Sequence, residues 1–255
     1  MTLTIETIGR QTVAALDRPH ARNPIELADI RELTRLFGAP PPDCSAIVVT
    51  GRGGNFTSGM DSSAGMAALR SGWRPGFADL LDLLFDMWLA MAACPVPTVA
   101  AVEGWCVGSG ANLALFCDVR VGSRSARLLA GHASIGSVPD GGGSLALVRA
   151  LGFQHASNLY FTNKALDAAT LAGLGVFAEV VDEGAALDAA LQLAEGFPAA
   201  LRAVVTDARR LFDRAAGFDL KALHEAECQI MRPLVDSGQL LRTIEGFWDE
   251  RRSVS

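Results

Sequence analysis

The sequence predicts an α/β fold with a helical C-terminal region, and three observations carry that prediction. Residues 46–50 and 98–102 are short apolar runs bounded by turn residues, the pattern of strands buried on both faces of a parallel-type sheet. Each run leads into a glycine-rich segment, 51–61 and 104–110, and then into a helical pattern. From Gly141 onward the spacing is helical almost throughout. Strand, glycine loop and helix in repetition are βα units laid side by side.

The elements follow in order. Strands are expected over 3–8 and 12–16, joined by a turn at Gly9-Arg10, and Asp17-Arg18-Pro19 breaks the pattern. An amphipathic helix runs from about Pro24 to Phe37, and Pro40-Pro41-Pro42 is a stiff connector. After the strand at 46–50 and its loop, Leu80, Leu81, Leu84, Phe85, Trp88 and Met91 recur at helical spacing within 77–93, which Pro95 and Pro97 close. The strand at 98–102 is followed by a glycine turn, a helix over 111–116 and a third short strand over 119–121. Helices then fill 145–151, 155–161, 168–174 and 187–194, with a short strand over 177–181. Three more occupy 199–216, 220–235 and 239–252. The expected division is a core over 1–195 and a helical region over 196–255.

Composition narrows the function classes. The 255 residues carry 22 basic and 28 acidic side chains, a net charge of −6, with no basic run. That balance argues against a nucleic-acid or anionic-membrane surface. The apolar stretch 96–102 stops at Glu103-Gly104, far short of a bilayer span, and the N-terminus shows no targeting pattern. Cys44, Cys94, Cys106, Cys117 and Cys228 are odd in number and lack a C-x-x-C pair, as expected of buried thiols in a reducing cytoplasm. His20, His132, His155 and His224 are scattered, so no metal site is expected.

The glycine loops fail the tests for nucleotide binding. There is no G-x-x-x-x-G-K-[ST], no G-x-G-x-x-G directly after a strand, and Val107 removes the first glycine of a G-x-S-x-G elbow around Ser109. Two such loops can instead aim backbone N–H groups at one carbonyl oxygen and form an oxyanion hole. Tight packing alone is the competing account of the glycines.

The residues themselves carry a resemblance. Phe56-Thr57-Ser58-Gly59-Met60-Asp61 lies about 40 residues before Thr98-Val99-Ala100-Ala101-Val102-Glu103-Gly104-Trp105-Cys106-Val107-Gly108-Ser109-Gly110. Cys117-Asp118-Val119-Arg120-Val121-Gly122-Ser123 and Ile135-Gly136-Ser137-Val138-Pro139-Asp140-Gly141-Gly142-Gly143-Ser144 follow. Leu151-Gly152, residues 168–173 and Phe247-Trp248-Asp249-Glu250-Arg251-Arg252 complete the series. In this order the chain resembles the enoyl-CoA hydratase/isomerase family, the crotonase superfamily, over nearly its whole length.

That resemblance implies a spiral of ββα units and C-terminal helices that build trimers, commonly paired into hexamers. It implies an acyl thioester ligand on coenzyme A or on a carrier protein, with no separate cofactor. Met60 and Ser109 would donate the oxyanion-hole N–H groups, Ser109 standing where the family usually has glycine. A groove formed by residues 18–25 and 58–61, with Arg18, Ser58, Gly59 and Asp61, together with Gly108, would take the thioester. Arg251 or Arg252 would meet phosphate, and residues 62–77 would form an apolar-lined mobile lid. Trp73 and Trp88 would meet the acyl chain or serve the core.

The catalytic pattern departs from the hydratase branch. Water addition needs two acid–base groups, and the two glutamate positions hold Asn112 and His132. Asp140 stands where some isomerase members carry a single aspartate base. One base and an oxyanion hole suffice to move a proton between Cα and Cγ. Asp140 has a competing role as cap of the helix that follows. His132 is a base or a polar filler, and Asn112 can position a polar group but cannot act as a base. Asp61 is expected to cap the next helix, and His20, His155 and His224 are surface or core residues. A double-bond isomerase is the expectation. The alternatives are a hydratase-like enzyme, a decarboxylase or dehydratase on an unusual or carrier-bound acyl group, and a silent acyl-CoA-binding member.

Overall fold

The computed structural model describes residues 3–253. Its strands are β1 (Leu3–Ile8), β2 (Gln11–Leu16), β3 (Ala46–Gly51), β4 (Thr98–Val102), β5 (Trp105–Val107), β6 (Val119–Ser123), β7 (Arg127–Leu129), β8 (Leu166–Asp167) and β9 (Glu179–Val181). The helices of the core are α1 (Leu27–Gly38), α2 (Ser62–Arg70), α3 (Ala78–Ala93), α4 (Ser109–Phe116), α5 (Gly143–Thr162), α6 (Ala168–Gly173) and α7 (Ala186–Glu195). The C-terminal region holds α8 (Val205–Ala215), α9 (Leu220–Asp236) and α10 (Gln239–Ser253).

Six strands form one sheet in the order β1-β2-β3-β4-β6-β9. The pairs from β2 to β9 are parallel, and β1 closes the edge antiparallel to β2. The alternation of strand side chains builds two cores from this sheet. Ala14, Leu16, Ile47, Val49, Ala100 and Val102 face the main core. Val13, Ala15, Ala46, Val48, Val99, Ala101 and Val121 face Ala186, Ala190 and Ala194 of α7. Both faces are covered, which is why the strands read as unbroken apolar runs.

The helices are set by local signals. Glu26 and Asp29 form a reciprocal capping box at the start of α1, which buries Ile30, Leu33 and Phe37 along one stripe. Glu103 leaves β4 and accepts from the Gly184 and Ala186 N–H groups at 3.0 and 3.1 Å, holding the start of α7. Gly152 (φ 70°) breaks α5 into the two halves expected at 145–151 and 155–161.

Two expectations need correction. The turn at 104–110 contains β5, which pairs in parallel with β7 in a separate three-stranded sheet, β5-β7-β8. Three residues are too few for a period-two pattern to show. The helix expected over 199–216 is a short 3-10 turn, Ala199–Ala203, followed by α8, because Val204 (φ −129°) interrupts it. The segment 62–77 is largely α2, tied to α10 by the Arg70–Glu245 pair and to α3 by Arg74 pairing with Asp79 and Asp82. Among the described residues no helix is long and apolar enough to cross a membrane.

Asp118, just before β6, is the tie between the sheet and the C-terminal helices. Its carboxylate accepts from the Thr98 N–H and hydroxyl at 2.7 and 2.9 Å and from two nitrogens of Arg209 on α8, each at 2.6 Å. Arg209 is buried and also donates to the Cys94 and Val96 carbonyls. Removing one member of a buried pair strands the other charge. Arg209→Ala is expected to lower unfolding free energy by about 3 kcal/mol in urea titration, and a loss below about 1 kcal/mol would show the tie to be dispensable.

Candidate active site

Two loops leave the C-terminal ends of β3 and β4 and lie against each other. The first follows the path of β5: Phe56 N–H donates to the Glu103 carbonyl, Thr57 N–H to Trp105, and Val107 N–H to Thr57, at 2.7, 2.9 and 3.1 Å. Close backbone approach demands glycine at two points. Gly59 has φ 95°, and a methyl group there would lie 2.8 Å from the Val107 carbonyl oxygen and 3.8 Å from the Ser109 nitrogen. A methyl group on Gly110 would fall 2.0 Å from Cγ2 of Thr57. The Met60 amide, next in chain after Gly59, and the Ser109 amide, at the first turn of α4, therefore sit on neighbouring loops. Gly108 (φ 55°) turns the chain into α4, and its N–H donates to the Leu129 carbonyl at 3.0 Å.

Asn112 lies one turn further along α4, about 5 Å on by helix pitch. It is buried, and Nδ2 donates to the carbonyl oxygens of Asp140 and Gly141, both at 3.4 Å. His132 begins a 3-10 turn beside β7, and its Nε2 lies 3.7 Å from Oδ1 of Asp140. The fold thus gathers Ser109, Asn112, His132 and Asp140 from three segments.

The electrostatics of the pair favour neutral forms. Burial pushes Asp140 up to about 6, against the opposing hydrogen bond from Ser137 Oγ at 3.1 Å. Burial lowers His132 to about 4. Burial thus favours the neutral form of each group, which weakens any ionic attraction between them. Nδ1 of His132 is buried and makes no hydrogen bond among the described residues.

Asp140 does not cap α5 through its side chain. Glu227 of α9 takes that place, accepting from the Gly142 N–H at 2.8 Å, the Ser144 N–H at 3.2 Å and the Ser144 hydroxyl. Burial raises the Glu227 pKa, and these donors oppose the rise. Trp88 of α3 is fully buried, stacks on Phe116 at 4.5 Å and donates to the Gly141 carbonyl at 2.7 Å. It belongs to the core and pins the Asp140 turn. Helical spacing already marks Trp88, whereas Glu227 reaches the turn from a distant helix and no spacing points to it.

The remaining candidates are placed as follows. Asp61 caps α2 through Oδ1, which accepts from Ser63 and Ala64 N–H, while Oδ2 pairs with Arg18 at 3.3 Å. Arg18 also pairs with Glu26, so its guanidinium is committed to two carboxylates. Ser58 is exposed, with its N–H on the Arg22 carbonyl at 2.8 Å. Trp73 packs against the main core. Arg251 stacks over Phe247 at 4.2 Å, and the Arg252 side chain lies outside the described residues. Four cysteines are buried and Cys228 half-buried, all as free thiols. A cavity of about 720 Å³ lies by Arg10, Cys44, Pro97 and Arg202 at the opposite ends of the strands, away from these residues.

Removing the Glu227 carboxylate leaves two N–H groups of the turn without their acceptor. Glu227→Ala is expected to cost about 2 kcal/mol by urea unfolding, with Glu227→Gln recovering part through its remaining acceptor oxygen. Equal midpoints for the wild type and Glu227→Ala would show that the cap carries no stability.

Comparison with known proteins gives one answer at every level. The profile of the enoyl-CoA hydratase/isomerase family matches residues 10–254. A Rhodobacter capsulatus protein named "Probable enoyl-CoA hydratase" is 30% identical over 260 residues, spanning 98% of this chain and 96% of that one. A Mycobacterium avium enoyl-CoA hydratase structure is 26% identical with a TM-score of 0.75, covering 94% of this chain and 99% of that chain. A Thermobifida fusca structure, of a protein assigned as an enoyl-CoA hydratase in complex with acetoacetyl-CoA, is 29% identical with a TM-score of 0.70 over 91% and 94% of the two chains. With a crotonase-type fold and a family match across almost its entire length, the chain belongs to the enoyl-CoA hydratase/isomerase family.

Proposed function

We propose that this protein is an enoyl-CoA double-bond isomerase, which shifts a double bond between the 3 and 2 positions of an acyl thioester. The Met60 and Ser109 N–H groups hold the thioester oxygen and stabilise the dienolate. Asp140 removes the proton from Cα and returns it at Cγ. The observation that carries this reading is the Asp140 carboxylate, buried beside His132 and relieved of helix capping by Glu227. A pKa near 6 suits a group that must first take a proton and then give it back near neutrality. Hydration would need a second acid–base group. Asn112 cannot supply one, and its amide is engaged by the Asp140 and Gly141 carbonyls.

The acetoacetyl-CoA complex of the Thermobifida fusca relative supports an acyl-CoA ligand for this chain. Ser58, Gly59, Asp61 and Gly108 form its approach. Arg18 contributes by holding Asp61 and Glu26, which fixes the two loop segments together. No separate cofactor enters the reaction. The His132 Nδ1 atom favours one second reading, because a buried ring nitrogen without a partner suits a polar substituent or a water. Under it, His132 and Asp140 act on an unusual or carrier-bound acyl group by hydration, dehydration or decarboxylation.

The C-terminal region, residues 196–255, mediates a trimer in this proposal. Leu211, Phe212 and Ile230 are exposed there, and Phe153 and Phe161 of α5 are exposed as well. Such apolar exposure fits an interface between copies of the chain.

Three measurements test these proposals. Mass spectrometry in D₂O with 3-enoyl- and 2-enoyl-CoA thioesters is expected to show deuterium at Cα and Cγ without gain of water. Asp140→Asn is expected to lower the exchange rate by about 10²–10⁴. The base must be ionised, so kcat/KM rises as pH increases through about 6, and Asp140→Asn removes that limb. Addition of one water would overturn the isomerase reading in favour of the second. Light scattering on the purified protein is expected to give a trimer mass that Phe212→Asp reduces, and a wild-type monomer would refute the assembly.

A further inference from the structure

We propose that Asp82, His224 and Cys228 form a zinc-type cation site that clips α9 onto α3. Their candidate ligand atoms lie within 4.8 Å of one another. Oδ1 of Asp82 is 3.0 Å from Nε2 of His224, and Sγ of Cys228 is 3.7 Å from the same nitrogen. A tetrahedral zinc ion with bonds of about 2.0–2.3 Å needs neighbouring donors about 3.3–3.6 Å apart, so both spacings close on one ion with sub-ångström shifts.

The local structure favours convergence on a metal. His224 and Cys228 stand four residues apart on α9, hence on one face, and Asp82 enters from α3. The His224 ring stacks on Phe85, with centroids 4.2 Å apart and planes 6° from parallel, which fixes its edge toward Asp82. Arg74 Nη2 binds the other carboxylate oxygen, Oδ2, at 2.6 Å, leaving Oδ1 to the histidine. Such outer partners orient ligands in metal sites. A relay of the Cys–His–Asp kind would place thiol and carboxylate on opposite ring nitrogens. Here both are nearest Nε2, since Cys228 Sγ is 4.0 Å from Nδ1.

One thiolate, one imidazole and one carboxylate are a donor set for Zn²⁺ or its congeners and a poor one for Ca²⁺ or Mg²⁺, which take oxygen ligands. Thiolate and carboxylate together balance the charge of a dication. Three protein ligands leave the fourth position to water or another donor. Cys228 follows Glu227 directly, so an ion here would hold α9 where its carboxylate reaches the Asp140 turn. This inference stands apart from the isomerase reading.

The probe is Co²⁺ added to chelator-treated, dialysed full-length protein. One equivalent is expected to give a thiolate-to-cobalt charge-transfer band and the intense visible absorption of tetrahedral cobalt, both removed by added Zn²⁺. Cys228→Ser and His224→Ala, checked for folding by circular dichroism, are expected to lose the signal, and Cys94→Ser to retain it. Zn²⁺ should raise the thermal midpoint of the wild type and leave that of Cys228→Ser unmoved. A wild-type protein with no charge-transfer band, or a band that survives Cys228→Ser, overturns the proposal. Because the wild-type titration decides the matter alone, a variant that fails to fold does not shield it.

Discussion

The close approach of two backbone loops is the constraint on which the candidate site depends. Gly59 lies against the Val107 carbonyl and Gly110 against the Thr57 side chain, at separations that leave no room for a Cβ atom. Only there can the Met60 and Ser109 amides come to adjacent positions. The loops cannot choose this arrangement alone. Their spacing is inherited from β3 and β4, adjacent parallel strands whose pairing runs Ile47 to Thr98 through Thr50 to Ala101. Neighbouring strands sit about 4.8 Å apart, so two loops that continue them begin almost in contact.

The C-terminal helices brace what the sheet delivers. Arg209 of α8 locks onto Asp118 and the carbonyls before β4, and Glu227 of α9 supplies the acceptor for the Asp140 turn. Trp88 grips the same turn from the other side. The turn that carries Asp140 is thereby held from two distant helices. The same helices present exposed Phe212 and Ile230, so in the proposed trimer one part of the chain would both support the site and meet other copies.

The charge pattern of the site is set by burial more than by pairing. Asp140 and His132 lie close enough to attract, yet desolvation moves each toward its neutral form. A carboxylate raised in this way is poised to exchange a proton with carbon, whereas a fully paired one would be held as a weak base. Under the isomerase proposal, this is why a single aspartate opposite backbone dipoles would serve proton transfer.

Much of the architecture was legible in the sequence because it rests on local chemistry. The apolar runs of β3 and β4, the Asp61 cap and the break at Gly152 are decided within a few residues of themselves. The loop motifs were legible too, while the reading of Asn112 and His132 at two glutamate positions rests on the family resemblance alone. Strand β5 was not, because three residues show no period until β7 pairs with them. The alternative roles of Asp140, cap or base, could be separated only when Glu227, 87 positions away in sequence, was seen in the capping place. The cluster of Asp82, His224 and Cys228 was invisible for the same reason. Sequence by itself determined which segments are strand, loop and helix and which side chains stand in the loops. Tertiary structure alone decided which of those side chains meet, because burial and long-range contact depend on elements that packing brings together from far along the chain.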